Sequence, residues 1–369
     1  MASLLTPRLL LRWFAVFVLI SLVGYGGVLL YGNNLPAFLH ALGGIQWAWM
    51  LVGLALASMD WVGGGLRNWV LVHHVHPNPP LGGMILSGGM GAWAAYLTPL
   101  NSGSGPMMMY AMKRAGVPLP LAVTATLMSF VATVVFFAIA GPVAVVLGAG
   151  KSLGQHGNLM GLTLYDLFLG SLSLFVGIGV LLLGVIVFPR LVRTGLHRIA
   201  ELLSRRSRRV AARVEALRRG IDEAHESTLA FNGPKGWLAL FWAILLSGPS
   251  HANKLLAGYV ALRVVGIEAH FVDVLLLQTF ITFLLYFAPT PGASGIAELV
   301  SAAVMSSVYV PPEISPLYTL VWRCILSYFT LAVGFGVFSY WIRHRLKGEE
   351  GQEDQPAEAE AGIGALGRL

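Results

Sequence analysis

Residues 289 to 298 read Pro-Thr-Pro-Gly-Ala-Ser-Gly-Ile-Ala-Glu, a knot of prolines and glycines with a carboxylate at its end, inside one of the most apolar parts of the chain. Such a stretch breaks a helix, because proline lacks the amide proton and glycine loses the most conformational freedom on ordering. A near-copy lies 190 positions earlier, where Pro99, Ser104 and Gly105 of Pro-Leu-Asn-Ser-Gly-Ser-Gly fall in register with Pro289, Ser294 and Gly295. Two matched interruptions predict two half-repeats, each with unwound backbone at membrane depth, an arrangement that suits transport.

The surrounding composition sets the solvent. Of 369 residues 56% are hydrophobic and only 11% charged, with a mean hydropathy of +0.73. That excludes an ordinary soluble domain. Several apolar stretches reach the roughly 20 residues needed to cross about 30 Å of hydrocarbon. The predicted fold is therefore an all-α polytopic membrane protein, with one integral domain over residues 1–347. Cys324 is the only cysteine, so neither an intrachain disulfide nor a cysteine-based metal site can form.

Lys and Arg near span ends set orientation. Spans are predicted at about 9–31, 45–66, 119–148, 164–188, 237–261 and 316–342, with Arg8, Arg12, Arg67 and the Arg343–Lys347 cluster on the cytoplasmic side. Residues 84–112 and 271–308 each contain two helices too short to cross alone, joined at a Pro/Gly tip, and are read as re-entrant hairpins entering from opposite sides. The sum is six full transmembrane helices plus two re-entrant helical hairpins in an inverted repeat, both termini cytoplasmic. Ten arginines between Arg190 and Arg219, interleaved with apolar residues at helical spacing, predict a basic amphipathic helix over 190–221 on the anionic inner leaflet. The acidic segment 348–369 is read as a disordered cytoplasmic tail.

Unwound backbone at membrane depth is tolerated only against protein or a water-filled cavity, so the tips belong in the interior. Ser104, followed by Pro106, and Ser294 are expected to cap the helix after each tip, leaving amide groups suited to a phosphate or carboxylate. Glu298 sits in the first turn after the second tip, either compensating the helix dipole or binding substrate. Lys254 and Arg323 lie at matching depth, about 10 Å below the outer surface by helical rise. They either share a polar chamber with Glu298 or snorkel to the interface. Asp60 is assigned a structural pairing with Arg67 or Lys113, and Asn101, Ser102, His251, Asn253 and Gln278 supply neutral hydrogen-bonding groups near the tips. His73, His74 and His76 have no acid nearby, and the Gly-Ser-Gly runs lack the Lys-Ser/Thr of a nucleotide loop. No metal, cofactor, nucleic-acid partner or catalytic residue is expected.

The knot at 289–298, Trp322-Arg323, Tyr328, Tyr110 and Gly116-Val117-Pro118 together resemble the membrane domain of lysylphosphatidylglycerol synthases, which also occurs alone as a flippase-like family. The resemblance covers nearly the whole chain. It implies translocation of an anionic phospholipid in the plasma membrane of a prokaryote, with membrane lipids as partners and a homo-oligomer or a lipid-synthesis enzyme as further associations. Carried residue by residue, it points to Pro289, Pro291, Gly292, Gly295, Glu298 and Arg323. Many members carry an Arg and an Asp on the helix after the first tip, where this chain has Met128-Ser129-Phe130-Val131-Ala132-Thr133. No aminoacyl-transferase domain follows, so lysyl transfer is not expected. The substrate-binding set is then Asn101, Ser102, Ser104, Gly105, Lys254, Pro289, Pro291, Gly292, Ser294, Gly295, Glu298 and Arg323.

Overall fold

Both Pro/Gly stretches interrupt helices, and each does so within a repeated order of elements. The chain is seen in a computed structural model that describes residues 7–30, 35–147, 158–159, 162–188, 231–286 and 288–353, with isolated positions between 190 and 229. Among these residues it is helical, apart from a two-residue antiparallel pairing of Asn158–Leu159 with Leu162–Thr163. Apart from those isolated positions, the basic segment expected over 190–221 lies outside the described residues, as does the tail beyond Glu353.

A 24-residue helix, α1 (Pro7–Leu30), and a short one, α2 (Leu35–Leu42), precede the first repeat. It runs α3 (Trp47–Ala57), α4 (Met59–Val75), α5 (Leu81–Leu97), α6 (Ser104–Arg114) and α7 (Leu119–Val146). After α8 (Leu164–Val187), the second repeat gives α9 (Pro234–Ser250), α10 (Ala252–Val264), α11 (Phe271–Tyr286), α12 (Ile296–Ser306) and α13 (Ser315–Arg323). A π-helical turn, Cys324–Tyr328, leads into α14 (Phe329–Glu353). Each repeat is thus an interrupted helix, a helical hairpin and a further helix.

Among the described residues three helices are long and apolar enough to cross a membrane: Trp47–Val75, Leu119–Ala144 and Ser315–Ile342. The paired helices of the hairpins have 17 and 11 residues in one and 16 and 11 in the other. None reaches the roughly 20 needed to span alone. Leu19, Val23, Leu51, Val180 and Leu181 are all more than half exposed. So apolar an outer surface is matched to hydrocarbon.

Three boundaries differ from the sequence reading. The helix expected to end before Arg67 continues to Val75, so Arg67 is buried inside it. The span expected over 237–261 is broken at His251, because Pro249 cannot donate to the helical ladder and the backbone of His251 leaves the helical region (φ −115°, ψ 13°). The last helix runs past Gly348 to Glu353, where a tail was expected.

Close approach positions the inner helices. A Cβ on Gly65 would lie 2.4 Å from Ile85 Cα, and one on Gly89 would enter the Trp61 ring, so α4 and α5 meet almost backbone to backbone. The buried apolar residues form two clusters. One holds Phe137, Phe280, Phe283, Tyr318 and Trp322, and the other Leu71, Met84, Met112 and Phe231.

Candidate functional site

The two tips share one backbone path. Thr98 and Thr290 are extended, and each is followed by a proline opening a single 3₁₀ turn. Leu100 (φ 51°, ψ 28°) and Gly292 (φ 54°, ψ 26°) then enter the left-handed region, as do Asn101 (φ 55°) and Ala293 (φ 54°). Gly103 and Gly295 precede α6 and α12. The true repeat is therefore Thr-Pro-x-x-Ser-Gly at 98–103 and 290–295, offset by 192 positions and not 190. Leu100, Asn101 and Ala293 adopt φ values costing an L-residue about 1–2 kcal/mol each. Such strain persists only where surrounding contacts hold it, and it clusters at functional sites. The two turns pack directly against each other.

The expected serine caps are absent. Thr98 Oγ1 accepts the Gly103 N–H at 2.7 Å while donating to the Ala94 carbonyl at 2.8 Å. Glu298 Oε2 accepts the Gly295 N–H at 2.7 Å. The leading amide of each helix is thus already engaged by its own hairpin. Ser104 supplies no cap, and the buried Ser294 hydroxyl has no hydrogen-bond partner among the described residues, while its carbonyl accepts from Thr290.

Behind the second tip lies a fully buried ion pair. Arg323 Nε stands 2.9 Å from Glu298 Oε1, close enough for strong attraction but out of line for a hydrogen bond. Arg323 Nη1 donates to the Gly292 carbonyl at 3.2 Å, and its guanidinium lies 5.5 Å from the ring centres of both Phe17 and Tyr328. Dipole compensation by Glu298 and tip anchoring by Arg323 are therefore one arrangement.

A second pair occupies the middle of the repeats. Asp60 and Asn253 are each the second residue after a helix interruption, at Ser58 and His251. Asp60 Oδ1 accepts from Lys254 at 2.9 Å, and Oδ2 accepts from Asn253 (2.9 Å), Tyr96 (3.0 Å) and Thr330 (3.1 Å). Asp60 does not pair with Arg67 or Lys113; it reaches across to the other repeat.

Between the tips and this pair is a cavity of about 50 Å³ lined by Tyr96, Asn101, Lys254, Gln278, Thr282, Leu285, Tyr286, Gly292, Ala293 and Leu326. Its polar groups differ in availability. The Tyr96 hydroxyl is bound to Asp60, and Thr282 donates to backbone carbonyls. The Gln278 amide, 1% exposed, has neither end partnered among the described residues.

The family described as lysylphosphatidylglycerol synthase TM region matches residues 12–334, a stretch holding every residue of this site. The chain belongs to that family. No curated protein matches it. Besides Ser104 and Ser294, which supply no caps, the predicted site residues divide into three groups. Asn101, Lys254 and Gly292 line the cavity. Pro291, Gly295, Glu298 and Arg323 build and brace the second tip. Ser102 and Pro289 are exposed, and Gly105 faces Thr126 of α7, so these do not line the cavity. His73 stacks on Trp69 and His74 tilts against Phe231, and among the described residues no group of three metal-ligating side chains occurs.

Sequence reasoning saw Asp60 but gave it the wrong partner, and it missed Tyr96, Thr282, Tyr286 and Thr330. The signal for Asp60 was the Gly248-Pro249 break, which puts Asn253 and Lys254 at the start of a helix segment as Asp60 is.

Proposed function

We propose that this protein is a lipid translocase that moves an anionic phospholipid or related amphiphile between membrane leaflets, with the headgroup passing through the cavity between the tips. The observation that carries this reading is the meeting of two strained tips at a cavity that holds Lys254 and Gln278, inside a helical, apolar chain. Backbone breaks at membrane depth belong where a cavity is lined. In this reading the hairpins are re-entrant from opposite leaflets, six helices cross, and both termini face the cytoplasm of a prokaryote.

Within the cavity Lys254 is the cationic group, and its bond to Asp60 leaves ammonium N–H donors for a phosphate oxygen. Gln278 and Asn101 offer neutral donors and acceptors beside it. Leu285 and Leu326 give the apolar wall along which an acyl-chain stem would lie. No covalent step is involved, so the chain acts as a carrier and not as an enzyme.

The test is reconstitution of the purified protein into liposomes carrying a fluorescent anionic phospholipid in one leaflet. Protein-dependent movement to the other leaflet is expected, with at least a tenfold loss in Lys254→Gln. Absence of movement in the wild type overturns the reading. The Asp60–Lys254 pair favours a second reading, an ion-coupled carrier of small solutes. Solute flux driven by a pH gradient, without lipid movement, would select it.

A further inference from the structure

Arg67 is the one buried Asp, Glu, Lys or Arg among the described residues with no partner of opposite charge. Asp60 is taken by Lys254 and Glu298 by Arg323, so these four charges cancel and Arg67 is left over. It is 7% exposed on α4, seven residues and therefore about 10 Å of helical rise beyond Asp60. Arginine remains protonated at neutral pH, so the charge is not relieved by losing a proton.

Its neighbours are polar but neutral. Nη1 donates to Thr133 Oγ1 of α7 at 2.6 Å and lies 3.5 Å from Ser247 Oγ of α9. Each hydroxyl donates to its own helix, Thr133 to Ser129 O and Ser247 to Ala243 O, which leaves a lone pair turned to the guanidinium. Nε has no hydrogen-bond partner among the described residues. One position along the helix, Asn68 bonds Ser87 and accepts from Ser129, continuing the uncharged polar wall. Hydroxyl dipoles orient a guanidinium without neutralising it, and an uncompensated charge in a protein interior is expensive.

We propose that Arg67 is an anion-binding position that takes a phosphate or phosphodiester group, on the same helix as Asp60 and two turns from it. The guanidinium fork presents parallel N–H donors that suit two phosphate oxygens. As a station on a headgroup path the site rests on the translocation reading; as a binding site it stands apart from it.

The full chain, purified in a phosphate-free maltoside detergent, is titrated with inorganic phosphate and, separately, with a short-chain phosphodiester amphiphile. Arg67→Gln is expected to weaken binding at least tenfold, and Arg67→Lys to retain part of it. Binding of the amphiphile alone assigns the site to a lipid headgroup, whereas equal binding of inorganic phosphate assigns it to a free anion. Should Arg67→Gln not fold, the wild-type guanidinium ¹⁵Nε resonance, identified by its loss in Arg67→Lys, is followed instead and must shift with added ligand. Neither probe binding the wild type, unchanged binding in Arg67→Gln, or an unmoved resonance overturns the proposal. Binding at Arg67 without lipid movement in liposomes leaves this site standing and removes only the translocation reading.

Discussion

The Asp60 carboxylate lies 2.9 Å from the Lys254 ammonium, although the two residues are 194 positions apart. Both follow a helix interruption, and they meet because equivalent parts of the two repeats face each other. Removing one member of such a pair leaves an uncompensated charge, at a cost of about 3–5 kcal/mol. Lys254→Gln is therefore expected to lower the melting temperature, and Asp60→Asn with Lys254→Gln to recover most of it. Lipid movement should stay low in the double variant, since the cavity still lacks its ammonium. A double variant that moves lipid at the wild-type rate would refute headgroup contact by Lys254.

Glu298 and Arg323 act as a unit with the second tip. Glu298→Gln and Arg323→Gln each are expected to destabilise the protein, and the pair together by less than the sum. The coupling should exceed about 1 kcal/mol, within the range for residues in direct contact. Additive effects in a thermal double-mutant cycle would show that the ion pair does not hold the tip.

Glycine is required at one tip position and optional at another. A Cβ on Gly292 would meet the Tyr96 carbonyl at 2.7 Å and would also have to adopt φ 54°. Gly292→Ala is expected to cost at least about 1–2 kcal/mol from backbone conformation alone and to slow lipid movement. A Cβ on Gly105 meets only Thr126 Cγ2 at 3.6 Å, an ordinary contact. Gly105→Ala should change stability by less than about 0.5 kcal/mol. Equal effects of the two variants would contradict the assigned tip geometry.

The proposed orientation is tested chemically. In a Cys324→Ser background, single cysteines at Asn33, Gln155 and Pro311 are expected to react with a membrane-impermeant reagent added outside intact cells. Reaction only after the cytoplasmic face is opened would invert the topology.

Much of this was readable before any coordinates. Runs of apolar residues bounded by Lys and Arg marked α1, α7 and α8 to within a few residues, because burial in hydrocarbon and charge placement act locally. Pro289 to Gly295 announced a break for the same local reason. The register of the repeat was misread because Ser-Gly occurs twice in succession at 102–105 and proline twice at 289–291. A slip of two positions then matches almost as well, and only the left-handed pair at Leu100–Asn101 and Gly292–Ala293 decides between them. The partner of Asp60 was not legible at all. It depends on how two halves of the chain face each other, and nothing within a few residues of Asp60 encodes that.

The two tips are braced unequally. The Arg323 guanidinium ties α1 through Phe17, the second tip through Gly292, α12 through Glu298 and the π-helical turn through Tyr328. The amide that leads the helix after the first tip is held by a single neutral hydroxyl, that of Thr98. A conformational cycle that admits and releases a headgroup would therefore bend at the first hairpin, with the riveted second half serving as the fixed jaw against which it swings.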